Sequence, residues 1–258
     1  MNNILHISLI QADLVWEDIG ANLENLDRML EQVPAHADLV VLPETFSTGF
    51  TMQSDRFAEG EDGQALAWMQ KAAREKDLFL TGSLIVRDRQ RIYNRLYWVS
   101  PQGTEGFYDK QHLFRLGRED EHFVPGEERK VFSLGEFRIR PQICYDLRFP
   151  VFSRNRGDYD VLLNVANWPA PRQQVWEVLT RARAIENQCY FLGVNRAGVD
   201  GLGTVHTGGT CAIDPMGSIM QKLDKQPGLL NCKLDLSKLR DYRKDFPVWK
   251  DADPFELR

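Results

Sequence analysis

The chain has no apolar run approaching the ~18 residues that would suggest a membrane span. Its first segment, Met1 to Gln11, lacks a basic cluster and alternates too regularly for a signal peptide. No block of like charge stands out, and the formal net charge is only −5. Neither nucleic acid nor an anionic membrane surface is therefore expected as a partner. The expectation is a cytoplasmic protein. Cysteine is scarce: Cys144, Cys189, Cys211 and Cys232 are widely spaced and form no CxxC pair. That spacing excludes zinc-ribbon and thioredoxin-like geometry. A chain of 258 residues needs no disulfide staples, so reduced thiols are the simpler account.

Several catalytic signatures are missing as well. There is no G-x-S-x-G elbow, which argues against a serine α/β-hydrolase. Gly201-Leu202-Gly203 begins like a dinucleotide fingerprint, but His206 occupies the third glycine position. No glycine-rich stretch ends in Gly-Lys-Ser/Thr, so a P-loop is absent. The five histidines form no H-x-x-x-H pair, and metal catalysis has no anchor.

What is present is an ordinary soluble balance, 43% hydrophobic and 27% charged, in alternating strand and helix patterns. Leu5, Ile7 and Leu9 alternate with His6 and Ser8 as in a half-buried strand. Ile19, Leu23, Leu26, Leu30 and Val33 are spaced for one face of a helix. The run Leu39 to Leu42 predicts a buried strand stopped by Pro43, with Glu44 just past its end. A helix around Leu66, Met69 and Ala73 leads to a strand over Leu78 to Val86. Ile92 to Val99 and Thr104 to Tyr108 read as a hairpin around Pro101-Gln102-Gly103. Phe137 to Ile143, interrupted by Pro141, predicts a strand ending at Cys144, and Tyr159 to Asn164 another. Val175 to Gln188 is predicted helical, with Val175, Leu179, Ala182 and Ile185 on a common face. Four strands from Tyr190 to Leu234 complete the core, and a charged, aromatic tail runs from Arg240 to Arg258. With no linker or repeat, the pattern predicts one α/β domain over 1–258, its sheets covered by helices.

Glu44, Lys110 and Cys144 fall at or just past strand ends, where buried parallel sheets usually place chemistry. Cys144 lies between a strand and a helix start, where free N–H groups and the helix dipole favour thiolate. An ordinary thiol, with a pKa of ~8.5, needs a base or a neighbouring cation near neutrality. No histidine lies near the motif, so a carboxylate and a lysine are the natural candidates. Glu44 at the mouth of an apolar cleft suits a general base, and Lys110 can hold an oxyanion by charge. Each has a plainer reading: a core cysteine, a solvated loop glutamate, a surface lysine. For Cys189, Cys211 and Cys232, within strand patterns, the core reading is preferred.

Together, Leu42-Pro43-Glu44, Tyr108-Asp109-Lys110-x-x-Leu113-Phe114 and Cys144-Tyr145-Asp146-x-Arg148-Phe149-Pro150 resemble the three signature blocks of the nitrilase superfamily of carbon–nitrogen hydrolases. The resemblance runs in order from the first strand to about Leu234. It implies a four-layer α-β-β-α sandwich, usually dimerised with the helices of two sheets packed together. It also implies Glu44 as general base, Lys110 and the Tyr145 N–H as oxyanion donors, and Cys144 as nucleophile. A second family glutamate precedes a Pro-Gly pair; Glu121-His122-Phe123-Val124-Pro125-Gly126 has that form and makes Glu121 the expected residue, with Glu119 its neighbouring rival. No cofactor or metal is implied.

Within the superfamily, the Cys144 block, Asn167-Trp168-Pro169, Arg183-Ala184-Ile185-Glu186-Asn187 and the tail from Tyr242 to Asp253 look like the omega-amidase group. That resemblance implies hydrolysis of 2-oxoglutaramate, and often 2-oxosuccinamate, to the oxo diacid and ammonia, with a link to methionine salvage. Such a substrate carries a carboxylate, for which Arg148 is a candidate bidentate partner; an ion pair on a helix surface is the equal alternative. Asn167 and Trp168 follow a strand and are candidate pocket residues, although packing alone is common for tryptophan. Arg183 and Glu186 read as an intrahelical pair. Three rival readings stand beside this one: another amidase, carbamoylase or nitrilase of the superfamily; a binding protein on the same fold; and a redox-sensing thiol protein, which lacks a nearby resolving cysteine.

Overall fold

A computed structural model describes residues 3–256; Met1, residue 2 and the last two residues of the predicted tail lie outside the described residues. The first half of the chain supplies β1 (Ile4–Gln11), α1 (Ile19–Leu30), β2 (Leu39–Val41), α2 (Ser54–Phe57), α3 (Gln64–Lys76), β3 (Phe79–Asp88), β4 (Arg91–Ser100) and β5 (Gly103–Asp109). The second half supplies β6 (Phe132–Leu134), β7 (Phe137–Ile143), α4 (Pro150–Ser153), β8 (Val161–Ala166), α5 (Gln173–Asn187) and β9 (Tyr190–Asn195). It continues with β10 (Ala197–Val199), β11 (Val205–Thr207), β12 (Cys211–Ile213), β13 (Ile219–Lys222), β14 (Gly228–Asp235) and α6 (Leu236–Asp245).

Two six-stranded sheets form, in the orders β14-β1-β2-β3-β4-β5 and β13-β12-β9-β8-β7-β6. Each has a parallel centre, β1-β2-β3 in one and β7-β8-β9 in the other, with antiparallel strands at its flanks. Period-2 alternation decides which side chains meet between the sheets. Leu5, Ile7, Leu9, Val41 and Trp98 from the first face Ile139, Ile143, Leu163, Val165 and Leu192 from the second. On the outer face of the first sheet, Leu23, Leu26 and Leu30 of α1 and Leu66, Met69 and Ala73 of α3 cover Val40, Leu80 and Val99. On the outer face of the second, Trp176 and Ala184 of α5 cover Leu162, Phe191 and Ile213. Each large aliphatic side chain so buried contributes about 1.5–3 kcal/mol. The layers are α-β-β-α, as the resemblance implied.

The α1 stripe packs as its spacing predicts, opened by Asp18, which accepts from the Ala21 N–H at 2.9 Å. Pro141 sits inside β7 without breaking it, because its other neighbour, β6, pairs only as far as Ile139. The α5 prediction needs correcting. Its core side is Trp176, Thr180, Arg183, Ala184 and Asn187. Val175 and Leu179 reach only the rim of the core, and Ile185 is 49% exposed. The inward face is polar for a reason: Arg183 donates twice to the Leu147 carbonyl, at 3.0 and 2.7 Å, while pairing with Glu186 at 2.8 Å. An apolar stripe is thereby left outward. The predicted tail, too, begins inside α6, where Arg243 bonds to the Gln188 and Tyr159 carbonyls and to Asp160.

Candidate active site

Three parallel strands and the antiparallel edge strand β5 deliver their following residues to one place. Glu44 follows β2, Cys144 follows β7, Asn167 follows β8, and Lys110 follows β5. Two of the turns are backbone outliers: Thr45, next to Glu44, has φ +42°, and Cys144 itself has φ +45°. A β-branched residue and a cysteine rarely occupy the left-handed region, and such strain persists only where its surroundings enforce it. Here hydrogen bonds do so. Thr45 N–H donates to Ser83 Oγ at 2.9 Å, and Ile143 N–H donates to Asp146 Oδ2 at 3.0 Å, closing the turn around Cys144.

Lys110 is 1% exposed, and its Nζ donates to Glu44 Oε1 and to Glu119 Oε1, both at 2.9 Å. Asn94 Nδ2 donates to the same Glu44 oxygen at 2.9 Å. Glu44 Oε2 accepts from the Asn167 backbone N–H at 2.7 Å, and Asn167 Nδ2 donates to the Glu44 carbonyl at 2.7 Å. Glu119 is held from its other oxygen by the Phe114 N–H at 2.6 Å. Burial works to lower the lysine pKa, but the charges of Glu119 and Glu44 more than offset it, and the net direction is up. Lys110 is a fixed cation. Burial raises the Glu119 pKa, and the Lys110 charge opposes the rise.

The thiol behaves differently from the sequence expectation. Burial and then the Glu44 charge push Cys144 well above an ordinary thiol; Lys110 pulls the other way without winning, and a hydrogen bond to Glu44 holds the proton further. A thiol shifted in that direction keeps its proton near neutral pH unless a base takes it. The other three cysteines are buried in the core clusters, where burial pushes each thiol up to about 12.

Glu121 does not reach this site. It faces solvent and pairs with Arg118, whose Nη2 donates to Glu121 Oε2 at 2.6 Å. Arg118 sits at φ +59° and starts a tight turn over Glu119–Glu121, so side chains two apart point to opposite sides. Glu119, not Glu121, is turned inward.

Cys144 opens on a cavity of about 180 Å³ whose lining includes Phe50, Lys110, Tyr145, Arg148, Trp168 and Arg172. The Arg148 guanidinium lies 5.3 Å from the centre of the Trp168 ring and that of Arg172 5.1 Å from the centre of Phe114. Among the described residues neither arginine has a carboxylate partner. Trp168 is both wall and packing: 2% exposed, its Nε1 donates to the Arg172 carbonyl at 2.8 Å. Sequence reasoning missed Asn94 and Arg172, and it preferred Glu121 to its rival Glu119, the glutamate turned inward. The strand register that faces Asn94 towards Glu44 has no local sequence mark, and Arg172 stands in an ordinary Pro-Arg-Gln-Gln run.

A buried glutamate and lysine and a partly buried cysteine, converging at the ends of two facing sheets, define a class. The chain belongs to the carbon–nitrogen hydrolase family, whose model matches residues 6–244, and is a hydrolase of carbon–nitrogen bonds. It is 44% identical over 254 residues to the omega-amidase YafV of Escherichia coli K12, covering 98% of each chain. It is 32% identical over 250 residues to the 2-oxoglutaramate amidase of Bacillus subtilis, covering 95% of this chain and 96% of that one. In structure it superposes with a TM-score of 0.97, at 40% identity and full coverage of both chains, on a CN-hydrolase superfamily protein from Xanthomonas campestris solved with an arsenic adduct in its active site.

Proposed function

We propose that the protein is an omega-amidase that releases ammonia from 2-oxoglutaramate, and from the shorter 2-oxosuccinamate, through a cysteine thioester. The observation that carries this reading is one cavity lined by Lys110 and Cys144, with Glu44 bonded to Lys110 behind it, and also by Arg148 and Arg172, neither of which is paired with a carboxylate. Arg148 and Arg172 supply the charge that a 2-oxo acid carboxylate needs, and planar guanidinium groups suit that partner better than lysine. Similarity along nearly the whole chain to an omega-amidase supports the same substrate class.

In this mechanism Glu44 takes the thiol proton as Cys144 attacks the amide carbon. Lys110 and the Tyr145 N–H hold the oxyanion; that N–H lies in the first turn after β7, where helix geometry offers no internal acceptor. Glu44 passes the proton to the leaving nitrogen, and ammonia departs. Water then gives its proton to Glu44, attacks the thioester, and frees the oxo diacid and the thiol. Glu119 keeps Lys110 charged and aimed throughout.

The same reading treats the chain as one hydrolase domain acting in the cytoplasm, in methionine salvage, as a homodimer. Among the described residues no helix is long and apolar enough to cross a membrane. The outward stripe of α5 supports the dimer: Val178 and Ile185 are 59% and 49% exposed beside Ile219, at 50%. A panel of small amides, carbamoyl amino acids and nitriles with an ammonia readout tests the activity. Release from 2-oxoglutaramate above all others is expected, and a preference for a nitrile or carbamoyl compound would overturn the substrate assignment.

A further inference from the structure

Lys110 and Cys144 belong to different sheets, so the distance between them depends on contacts that cross the sandwich. One crossing is already described, from Asn167 after β8 to Glu44 after β2. The other is centred on Asp146, which is 0% exposed and two residues beyond Cys144. Its Oδ2 accepts from the Tyr108 hydroxyl at 2.6 Å as well as from Ile143 N–H. Its Oδ1 accepts from the His112 backbone N–H at 3.0 Å and lies 2.8 Å from His112 Nδ1. Tyr108 and His112 stand two residues before and two residues after Lys110. The His112 ring is stacked on Phe149, centroids 3.7 Å apart at 10°, which adds a second tie to the far end of the cysteine turn.

We propose that Asp146 is the positioning residue of the oxyanion site: through Tyr108 and His112 it clamps the segment carrying Lys110 to the turn carrying Cys144. The inference rests on the reading of Lys110 as an oxyanion donor. A carboxylate that only capped its own turn would need the Ile143 N–H alone. Asp146 instead spends three of its four contacts on the lysine segment. Charge-assisted bonds of this length are the strong ones, and a carboxylate filled on both oxygens has little freedom to shift. A donor displaced by a fraction of an ångström loses much of its effect, because the transition state and not the ground state demands the exact geometry.

The test compares Tyr108→Phe, Asp146→Asn and the double variant with the wild type, on whichever amide of the panel the wild type cleaves best. Modification of Cys144 by methyl methanethiolsulfonate is followed in parallel, since that reagent has no carbonyl and needs no oxyanion site. Tyr108→Phe is expected to lower kcat by about tenfold, with KM and the rate of thiol modification each within about twofold. The double variant should lose less than the two single losses multiplied, because both substitutions loosen the same clamp. Unchanged kcat in Tyr108→Phe would overturn the proposal, leaving the aspartate as a cap. So would turnover and thiol modification falling together, or losses that add. If Asp146→Asn does not fold, Tyr108→Phe decides alone. Failure of the underlying reading shows separately, as a wild type that turns over no amide or a Cys144→Ala variant that still does.

Discussion

Lys110 Nζ stands 2.9 Å from Glu119 Oε1, the same distance at which it meets Glu44, so one buried cation is shared by two buried carboxylates. The two acids have different surroundings. Glu44 gives its second oxygen to the Asn167 N–H and acts on the Cys144 thiol by its charge, whereas Glu119 spends its second oxygen on the Phe114 N–H. Neutralising Glu119 removes one of the two charges that hold the Lys110 pKa up and leaves Glu44 in place. Glu119→Gln is expected to lower kcat by about 10- to 100-fold. Glu121→Gln, which breaks only an exposed ion pair, should stay within about twofold. Steady-state ammonia release for the two variants side by side checks this; the reverse ranking would restore Glu121.

That pair also shows what the sequence carried and what it withheld. Strand ends were legible, since a short apolar run cut by Pro43 or ended at Cys144 has few other readings, and they located three members of the site. The choice between Glu119 and Glu121 was not legible. Both flank the same acidic residue, and only the left-handed turn at Arg118 decides which one faces inward. The core side of α5 was misread because hydrophobic spacing finds the apolar stripe of a helix, whereas this helix buries Arg183 and Asn187 to bond loops and leaves apolar residues outside. Asn94 and Arg172 were invisible because their roles come from pairing across a sheet and from the path of a loop.

Charge, not only proton transfer, sets the state of the thiol. The negative Glu44 is the second cause, after burial, of the raised Cys144 pKa. Glu44→Gln removes that charge, so the thiol pKa should fall, leaving Lys110 less opposed beside it. Amide turnover should nevertheless drop by about 100-fold or more, because the proton carrier is gone. Modification of Cys144 by methyl methanethiolsulfonate near neutral pH should hold or quicken, with its pH midpoint moved down. A midpoint unchanged or moved up would show that the Glu44 charge does not hold the thiol pKa up.

The left-handed conformation at Cys144 separates catalysis from stability. Cys144→Ala and Cys144→Gly should both lose ammonia release by at least about 10⁴-fold, as expected for loss of a nucleophile. Yet glycine adopts φ +45° without the Cβ clash, which costs roughly 1–2 kcal/mol in other residues. The glycine variant should therefore melt about 2–4 °C above the alanine variant. Equal melting temperatures would indicate that the turn relaxes once the thiol is removed.

The two arginines of the cavity predict a split between substrates. Arg172→Gln and Arg148→Gln should each lower kcat/KM for 2-oxoglutaramate by about 10- to 100-fold, mostly through KM, as loss of a charge-assisted pair to the carboxylate. A neutral amide of similar length, such as butyramide, should be affected by less than about threefold. Equal losses on both amides would assign the arginines to packing on Phe114 and Trp168 instead.

The outward stripe of α5 makes the last prediction. Val178, Ile185 and Ile219 border a depression of about 440 Å³ that also reaches Trp176, Thr180 and Cys211 on the outer face of the second sheet. An apolar surface this close to the core gains from cover, since each exposed aliphatic side chain removed from water contributes about 1.5–3 kcal/mol. In the proposed homodimer, a second copy would bring the same helix against this stripe by two-fold symmetry. Ile185→Glu would put a charge from each copy into that proposed interface and should shift the protein from dimer to monomer in sedimentation equilibrium. The monomer should keep its thiol reactivity, because the cavity of Cys144 is lined from other elements. A wild type that sediments as a monomer at micromolar concentration would leave the stripe without this explanation.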